Sequence, residues 1–509
     1  MNRLLLLIVM LVVSLQLAAQ LPTDVYQYHI DLLNVADNKV QVTLVPPKNQ
    51  LQTGKFIIPR MVPGYYDALN LGQHISAFQA FDQTGAQLPV HRVDTNSWSI
   101  KGLEHVGKIS YQVSGGWDNL LQHTAGAKSA ESIFKKDSLF ILNYSSVTGY
   151  FEEIPDRGYE VTLKKNPGFY ASSALQYTRQ NDTTDKARAV DYRRLVDAPV
   201  MYCIPDTTWI QVGNTKVLVS FYSKEHRSYS KVLAARLQTI LFNQQAYLGG
   251  QLPVDRYAFL IYQEQIPKGL LTDGLEHSNS TVCLYGSTAL DKLPEALIGV
   301  ASHEFFHILT PLNIHSREVQ HFNFLDPVLS KHLWLYEGMT EYATIHMPIK
   351  EKMIGLQAFL GVIERKIKGM DGFDNKLSMT LMSTNAIRMQ DQYLNFYQKG
   401  ALVGLCLDIR LRELSHGQMG TQELMQKLIK KYGSEKAFKD EDLFRVITSL
   451  TFPEIRLFFK DYVEDGQPIP LKETLQKVGL DYDAAQQTVT ATRNPSAKQL
   501  SLRKAWIDL

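Results

Sequence analysis

ASHEFFHIL, at residues 301–309, carries two histidines and a glutamate inside an apolar segment that is predicted to be a helix. Residues four apart lie above one another on a helix, so His303 and His307 can face the same ion. Neutral imidazoles suit zinc, and Glu304 between them would be placed to act as a general base. A lone HExxH pattern also arises by accident on amphipathic helices, so half of a metal site and a chance match both remain open.

A third metal ligand must come from elsewhere, because a catalytic zinc site has three protein ligands and one open position. Glu337 is the best candidate, since residues 333–342, LWLYEGMTEY, are largely apolar and a buried carboxylate is costly unless it is paired or metal-bound. The alternative places Glu337 on the exposed face of an amphipathic helix. Glu341, one turn later, either accepts the free N–H of a ligand histidine or faces solvent. These residues predict one Zn²⁺ per chain.

The composition is that of a soluble globular protein. The chain has 509 residues, 45% of them hydrophobic and 20% charged, and this length predicts two to four domains at about 100–200 residues each. A net charge of +2 gives no reason to expect a nucleic-acid partner. Cys203, Cys283 and Cys406 are far apart and are predicted to be buried free thiols.

The start of the chain has the pattern of a secretory signal. Arg3 precedes an apolar run at residues 4–13, and small residues lie directly before Gln20. We interpret residues 1–19 as a signal peptide and expect a periplasmic or extracellular protein. The apolar run is about ten residues long, whereas a spanning helix needs about 20, so we expect no membrane span in the mature chain.

Two kinds of periodicity divide the rest of the chain. Apolar and polar residues alternate from residue 20 to about 204, which predicts an antiparallel β-sandwich domain. The segment PRMVPGYY at residues 59–66 has two prolines around a bend and is interpreted as a turn that ends a strand.

Helical periodicity dominates residues 205–467, where Pro294 is a suitable first residue for the HEFFH helix. Strands at residues 257–262 and 280–284, with DGLEHSN as a loop between them, predict a small sheet in this second domain. Residues 468–509 form a short mixed segment. The predicted fold class is therefore α+β and multidomain: a β-sandwich followed by a mainly helical catalytic domain with a small sheet.

HEFFH followed later by LWLYEG resembles the gluzincin metallopeptidases, thermolysin-like enzymes with a His, His, Glu zinc site. More particularly, the chain resembles the glycyl aminopeptidase family over nearly all of its length after residue 19. The stretches that carry this resemblance are IPRMVPGYYD at residues 58–67, LVDAPV at 195–200, DGLEHSNST at 273–281 and YQKGALVGLCLDIRLRELSHG at 397–417.

The resemblance implies roles for two further residues. Glu276 would bind the free α-amino group of the substrate, and Tyr397 would donate a hydrogen bond to the oxyanion; without the resemblance they read as a turn residue and a core aromatic. Asp273 departs from the family pattern, which has glycine there, and adds negative charge beside the expected amine site. Residues 468–509 are too short for the PDZ domain that family members commonly carry.

The implied function is that of a secreted zinc aminopeptidase. Its substrates would be peptides with a free N-terminus, from which it would remove small residues such as Gly or Ala. Two alternatives remain: a zinc endopeptidase with the same fold, and a peptidase-like binding protein without catalysis.

Overall fold

The computed structural model describes residues 24–47, 52, 54–116, 129–264, 272–286 and 288–508. The signal peptide predicted for residues 1–19 lies outside these ranges. Within them, no helix is both long and apolar enough to cross a membrane.

The first half of the described chain is built from three sheets. The largest has eight strands, in the spatial order Tyr177–Asn181, Thr184–Ala189, Tyr159–Lys164, Tyr26–Ala36, Lys39–Val45, Val106–Ser114, Ile75–Asp82 and Gln87–Leu88. One smaller sheet contains Tyr170–Ser173, Val200–Cys203, Leu139–Leu142 and Ile133–Lys135, and the other contains Tyr150–Phe151, Phe56–Ile57, Ser97–Ile100 and Val90–Arg92. We call residues 24–204 the β region.

The alternation seen in the sequence places one face of the large sheet in a core. Val40, Val42 and Leu44 are fully buried, while the residues between them are partly exposed. The described pairings in these three sheets are antiparallel except that Tyr26–Ala36 and Tyr159–Lys164 run parallel. A β-rich first half followed by a helical second half confirms the predicted fold class.

A five-stranded sheet begins the second half of the chain. Its spatial order is Thr207–Val212, Thr215–Ser223, Arg256–Gln263, Ser280–Tyr285 and Thr272–His277. The last of these, which we call the edge strand, pairs antiparallel with Ser280–Tyr285 and places Glu276 opposite Thr281. The sequence prediction of a loop at DGLEHSN was wrong for residues 273–277, because Ser278 and Asn279 alone suffice for the turn.

Helices form most of the remaining chain, and a few short ones also lie within the β region. The α-helices are Tyr144–Val147, Tyr192–Val196, Ser230–Tyr247, Leu293–Phe306, Arg317–Gln320, Thr340–Lys350, Leu356–Gly369, Met379–Thr384, Gln390–Tyr393, Asn395–Leu414, Thr421–Lys431, Leu443–Leu450, Ile455–Phe459, Leu471–Lys477 and Ala497–Ile507. Shorter 3-10 segments are Leu71–His74, Leu103–His105, Met370–Gly372 and Asp440–Asp442, and π-helical segments are Trp334–Met339 and Lys460–Glu464. A hairpin, Leu480–Asp483 with Thr488–Ala491, precedes the last helix.

The last segment of the chain packs into the helical core. Leu475 and Trp506 are fully buried there, beside the central helix Asn395–Leu414. Burying a large aromatic side chain removes about 150–250 Å² from water, so this segment contributes to the same core. The boundaries at residues 204/205 and 467/468 stay predictions.

The two halves of the chain interlock. Leu275 of the edge strand and Phe324 lie in the core of the β region, whereas Tyr66 of the β region packs against the helical core. The backbone N–H groups of Arg60 and Met61 both donate to the Phe324 carbonyl, at 2.8 and 3.1 Å. Each half therefore supplies part of the other half's packing.

Candidate active site

The HEFFH sequence lies at the end of the helix Leu293–Phe306, which we call the motif helix. Pro294 occupies its first turn, where a missing N–H costs nothing, and the helix ends so that His307 is its C-terminal cap. Leu297, Ala301 and Phe305 are buried against the five-stranded sheet. This packing leaves the opposite side of the helix to carry the polar residues of the motif.

His303, His307 and Glu337 meet in one buried cluster. The His303 Nε2 atom lies 3.4 Å from Glu337 Oε2, and the His307 Nε2 atom lies 3.8 Å from the same oxygen. Their exposed fractions are only 7%, 3% and 2%. The three predicted metal ligands are therefore brought together, and their ligand atoms all lie within 4.8 Å of one another.

Several polar atoms of this cluster lack partners. His303 Nε2, Glu337 Oε2 and Glu304 Oε2 are buried without a hydrogen bond to any described residue. Buried polar groups are normally satisfied, and an unpaired carboxylate is the most costly exception. Two imidazole nitrogens and a carboxylate oxygen around one point suit a transition-metal ion such as zinc, so the residues present fit a metal.

Both histidines are oriented by their other ring nitrogen. His303 Nδ1 lies 2.7 Å from Glu341 Oε2, and His307 Nδ1 donates to the Thr310 carbonyl at 2.9 Å. These contacts turn both Nε2 atoms toward the centre of the cluster. Burial lowers the pKa of His307 to about 4, so its imidazole is neutral, as a metal ligand must be.

Glu341 contacts His303 and is not on a solvent-facing surface. Burial alone would raise the pKa of Glu341, but hydrogen bonds from His303 and Lys366 lower it to about 2. The Lys366 Nζ atom donates to the second carboxylate oxygen at 2.6 Å. Of the two alternatives left open by the sequence, the structure shows the contact with the His303 ring rather than a side chain facing solvent.

Glu304 is held beside the edge strand. The pKa of its carboxyl is raised to about 8, mainly by burial. The charge of His303 lowers this pKa and the charge of Glu337 raises it further. A Cβ atom at Gly274 would lie only 2.7 Å from Glu304 Oε1, so only glycine fits at this position of the edge strand. A carboxylate whose proton affinity is raised in this way is suited to accept a proton.

Glu337 and Tyr397 are positioned by a close helix crossing. Glu337 lies in the π-helical segment Trp334–Met339. Its neighbour Gly338 contacts Gly400 of the helix Asn395–Leu414. The contact is so close that a Cβ at Gly338 would lie 2.8 Å from the Gly400 Cα. The Tyr397 ring centroid is consequently 5.3 Å from that of His303. Burial raises the pKa of Tyr397 well above its usual range, so the phenol keeps its proton.

Glu276 is the fourth acidic residue near the cluster. One of its ligand atoms lies within 4.8 Å of those of Glu304 and His307. Burial, together with the charges of Glu337 and Glu304, raises the pKa of Glu276 well above its usual range. Buried carboxylates this close repel one another, so protonation or a nearby cation must neutralise part of their charge.

Asp273 is hydrogen-bonded to the β region, and its charge also contributes to the raised pKa of Glu304. Its Oδ2 atom accepts the backbone N–H of Ser129 at 2.8 Å, which ties the edge strand to the β region. Asp197 makes a second tie, accepting the Ser278 N–H at 3.0 Å and lying 3.4 Å from His277 Nδ1. The β region thus fixes both ends of the edge strand that carries Glu276.

Sequence reasoning missed the contribution of residues 59–66. The sequence predicts only a strand-ending turn here, whereas the structure brings Gly64 against the Glu276 carboxylate and Tyr66 against Tyr393, with ring centroids 5.7 Å apart. A cavity beside the site is lined by both halves of the chain, including Val62, Gly64, Arg193, Glu276, His307 and His315. The Pro63-Gly64 pair was the available signal.

Comparisons with known proteins agree with this geometry. The Peptidase M61 N-terminal domain matches residues 27–204, and the M61 glycyl aminopeptidase domain matches residues 296–403. No protein with a curated description matches the sequence.

Among solved structures, an aminopeptidase N family protein from Idiomarina loihiensis superimposes with a TM-score of 0.77 at 21% identity, covering 90% of this chain and 78% of that chain. The M1 zinc metallopeptidase from Deinococcus radiodurans gives a TM-score of 0.52 at 13% identity, covering 88% of this chain and 95% of that one. A variant of the Deinococcus radiodurans enzyme, solved with a Tyr-Ser-Ala substrate, gives a TM-score of 0.51 at 12% identity. That match covers 88% of this chain and 95% of that chain. At these identities the structures show a shared fold.

The family match and the buried His–Glu cluster define a metallopeptidase. The chain belongs to the M61 glycyl aminopeptidase family, whose two domains together match more than half of it. The resemblance seen in the sequence is confirmed.

Proposed function

We propose that this protein is a zinc-dependent aminopeptidase of the gluzincin type. The observation that carries the proposal is the buried cluster of unpartnered ligand atoms on His303 and Glu337, with Glu276 beside it. Such an arrangement offers one place for a metal ion and one for a substrate ammonium group.

The metal ligands would be His303, His307 and Glu337. Zinc, when bound, would polarise the scissile carbonyl and lower the pKa of a water at the site to about 7. Glu304, buried beside the two histidines, would take the proton of the attacking water and deliver it to the leaving amine.

Tyr397 would stabilise the oxyanion. Its phenol is protonated and lies next to His303, so it can donate where negative charge develops. One such donor is worth about 2.7–4 kcal/mol in other enzymes.

Glu276 would select for a free amino terminus. A buried carboxylate pairs well with an ammonium group, which an internal peptide bond lacks. From the family description we propose small N-terminal residues, Gly or Ala, as the preferred substrates. The leader pattern of residues 1–19 supports a further proposal, export to the periplasm or the cell exterior.

The central experiment compares wild type with Glu304→Gln. Elemental analysis should find one zinc per chain in both proteins, whereas hydrolysis of alanyl- and glycyl-p-nitroanilide should be lost only in Glu304→Gln. Full activity of that variant would remove Glu304 from the mechanism. Zinc below one per chain in wild type, unaffected by Glu337→Ala, would contradict the metal assignment.

A substrate panel with and without a chelator separates the alternatives. Equal cleavage of acetylated and free peptides would favour an endopeptidase. Peptide binding without any turnover would favour a binding protein.

A further inference from the structure

The turn at residues 63–66, Pro-Gly-Tyr-Tyr, extends from the β region to the Glu276 carboxylate. Gly64 has φ of +83°, and a Cβ there would lie 2.6 Å from Glu276 Oε1 and 2.9 Å from Oε2. A side chain at this position would have to displace the carboxylate. The bare main chain of Gly64 therefore forms one wall of the space in which Glu276 sits.

The turn is anchored by both halves of the chain. On its N-terminal side, the Arg60 and Met61 N–H groups donate to the Phe324 carbonyl. On its C-terminal side, the Gln390 amide donates to the Tyr66 carbonyl, and the Tyr66 ring packs against Tyr393. A turn held at both ends can fix the position of what it contacts.

Tyr66 lies on the side of the cluster that Tyr397 forms. Its ring packs against Tyr393, whose ring centroid is 5.9 Å from that of Tyr397, and the charges of the Glu337 and Glu276 carboxylates act on its hydroxyl. Burial and these charges raise the pKa of Tyr66 well above its usual range, so the phenol stays neutral. Its oxygen can then accept a hydrogen bond from an ammonium group.

We propose that residues 63–66 determine specificity for the amino end of the substrate. Gly64 holds the Glu276 carboxylate in place, and Tyr66 supplies a second contact for the substrate ammonium. This proposal rests on the proposed aminopeptidase function. It gives the β region a direct part in substrate recognition, because an acetylated amine has lost the positive charge and two of the three N–H donors that these groups would bind.

Gly64→Ala tests the position of Glu276, with Gly85→Ala as the matched control. Gly85 also has a positive φ, +91°, but a Cβ there meets nothing within 4 Å, so both variants carry similar backbone strain. Each change is made in zinc-loaded Glu304→Gln protein, and binding of alanyl-alanine amide is measured by calorimetry. We expect Gly64→Ala to weaken binding at least tenfold and Gly85→Ala to leave it unchanged.

Tyr66→Phe tests the second contact and keeps the packing against Tyr393. In the active enzyme we expect this variant to raise KM for alanyl-p-nitroanilide several-fold with little change in kcat, whereas Tyr397→Phe should lower kcat. Equal binding by the Gly64 and Gly85 variants, with unchanged KM for Tyr66→Phe, would overturn the proposal. No hydrolysis of any free peptide by zinc-loaded wild type would overturn the proposed function instead, and the binding measurement would still decide the role of the turn.

Discussion

Glu341 shows how a single residue can act on the cluster without facing its centre. Its two oxygens contact different partners, His303 Nδ1 at 2.7 Å and Lys366 Nζ at 2.6 Å. The carboxylate thereby fixes both the ring orientation and the protonated nitrogen of His303. In other metal sites, removal of such a partner costs about 10–100-fold in metal affinity.

We therefore expect Glu341→Ala to weaken zinc binding by about 10–100-fold, measured by competition with a chelator of known affinity. Glu351→Ala, in the residue that caps the same helix, is the control and should retain wild-type affinity. Equal zinc affinity in both variants would show that His303 is oriented by its packing alone.

At the scale of elements, the sequence predicted the motif helix well but not its surroundings. Local signals, namely Pro294 and the spacing of His303 and His307, are sufficient for a helix that carries both histidines. The position of the turn at residues 63–66 depends on hydrogen bonds that its flanking residues make with Phe324 and Gln390, more than 200 residues away. Such contacts leave no periodic pattern in a single sequence.

The helix Thr340–Lys350 also gives a prediction for acid stability. His346 Nδ1 accepts from the Tyr247 hydroxyl at 2.9 Å, and Nε2 donates to the Trp506 carbonyl at 3.0 Å. Burial lowers the pKa of His346 to about 4, although the Asp408 charge opposes this. In the unfolded chain His346 has its ordinary pKa near 6.5, so as the pH falls the unfolded state binds a proton before the folded state does. The free energy of unfolding therefore decreases as the pH falls from about 6.5 toward 4.

Between pH 7 and pH 5 the stability advantage of wild type over His346→Gln should therefore shrink by about 2 kcal/mol. Urea unfolding at the two pH values measures it. A His346→Gln difference that is independent of pH would contradict the assignment.

At the scale of the whole molecule, the β region and the helical region share side chains. Phe324 is 6% exposed and packs against Tyr192, with ring centroids 5.1 Å apart, inside the core of the β region. Its carbonyl also anchors residues 60 and 61. Because each region completes the other's core, neither is expected to unfold alone.

Scanning calorimetry of wild type should show one cooperative transition. Phe324→Ala should cost about 3–5 kcal/mol, as buried aromatic truncations do, and should lower the Tm of that single transition. Phe242→Ala, in a phenylalanine that is 45% exposed, serves as the control with a small effect. Two separate transitions, of which only one shifts, would show that the regions unfold independently.

The contact between Gly338 and Gly400 has a consequence for how this sequence can change. A Cβ on either glycine would lie 2.8 Å from the Cα of the other, so either methyl group would need the two helices to separate. The first alanine substitution would already push the two helices apart, and the second would then add less than its own cost. Measured costs of the two single variants and the double variant should accordingly be sub-additive, so the cost of changing one glycine during evolution depends on whether the other has already changed.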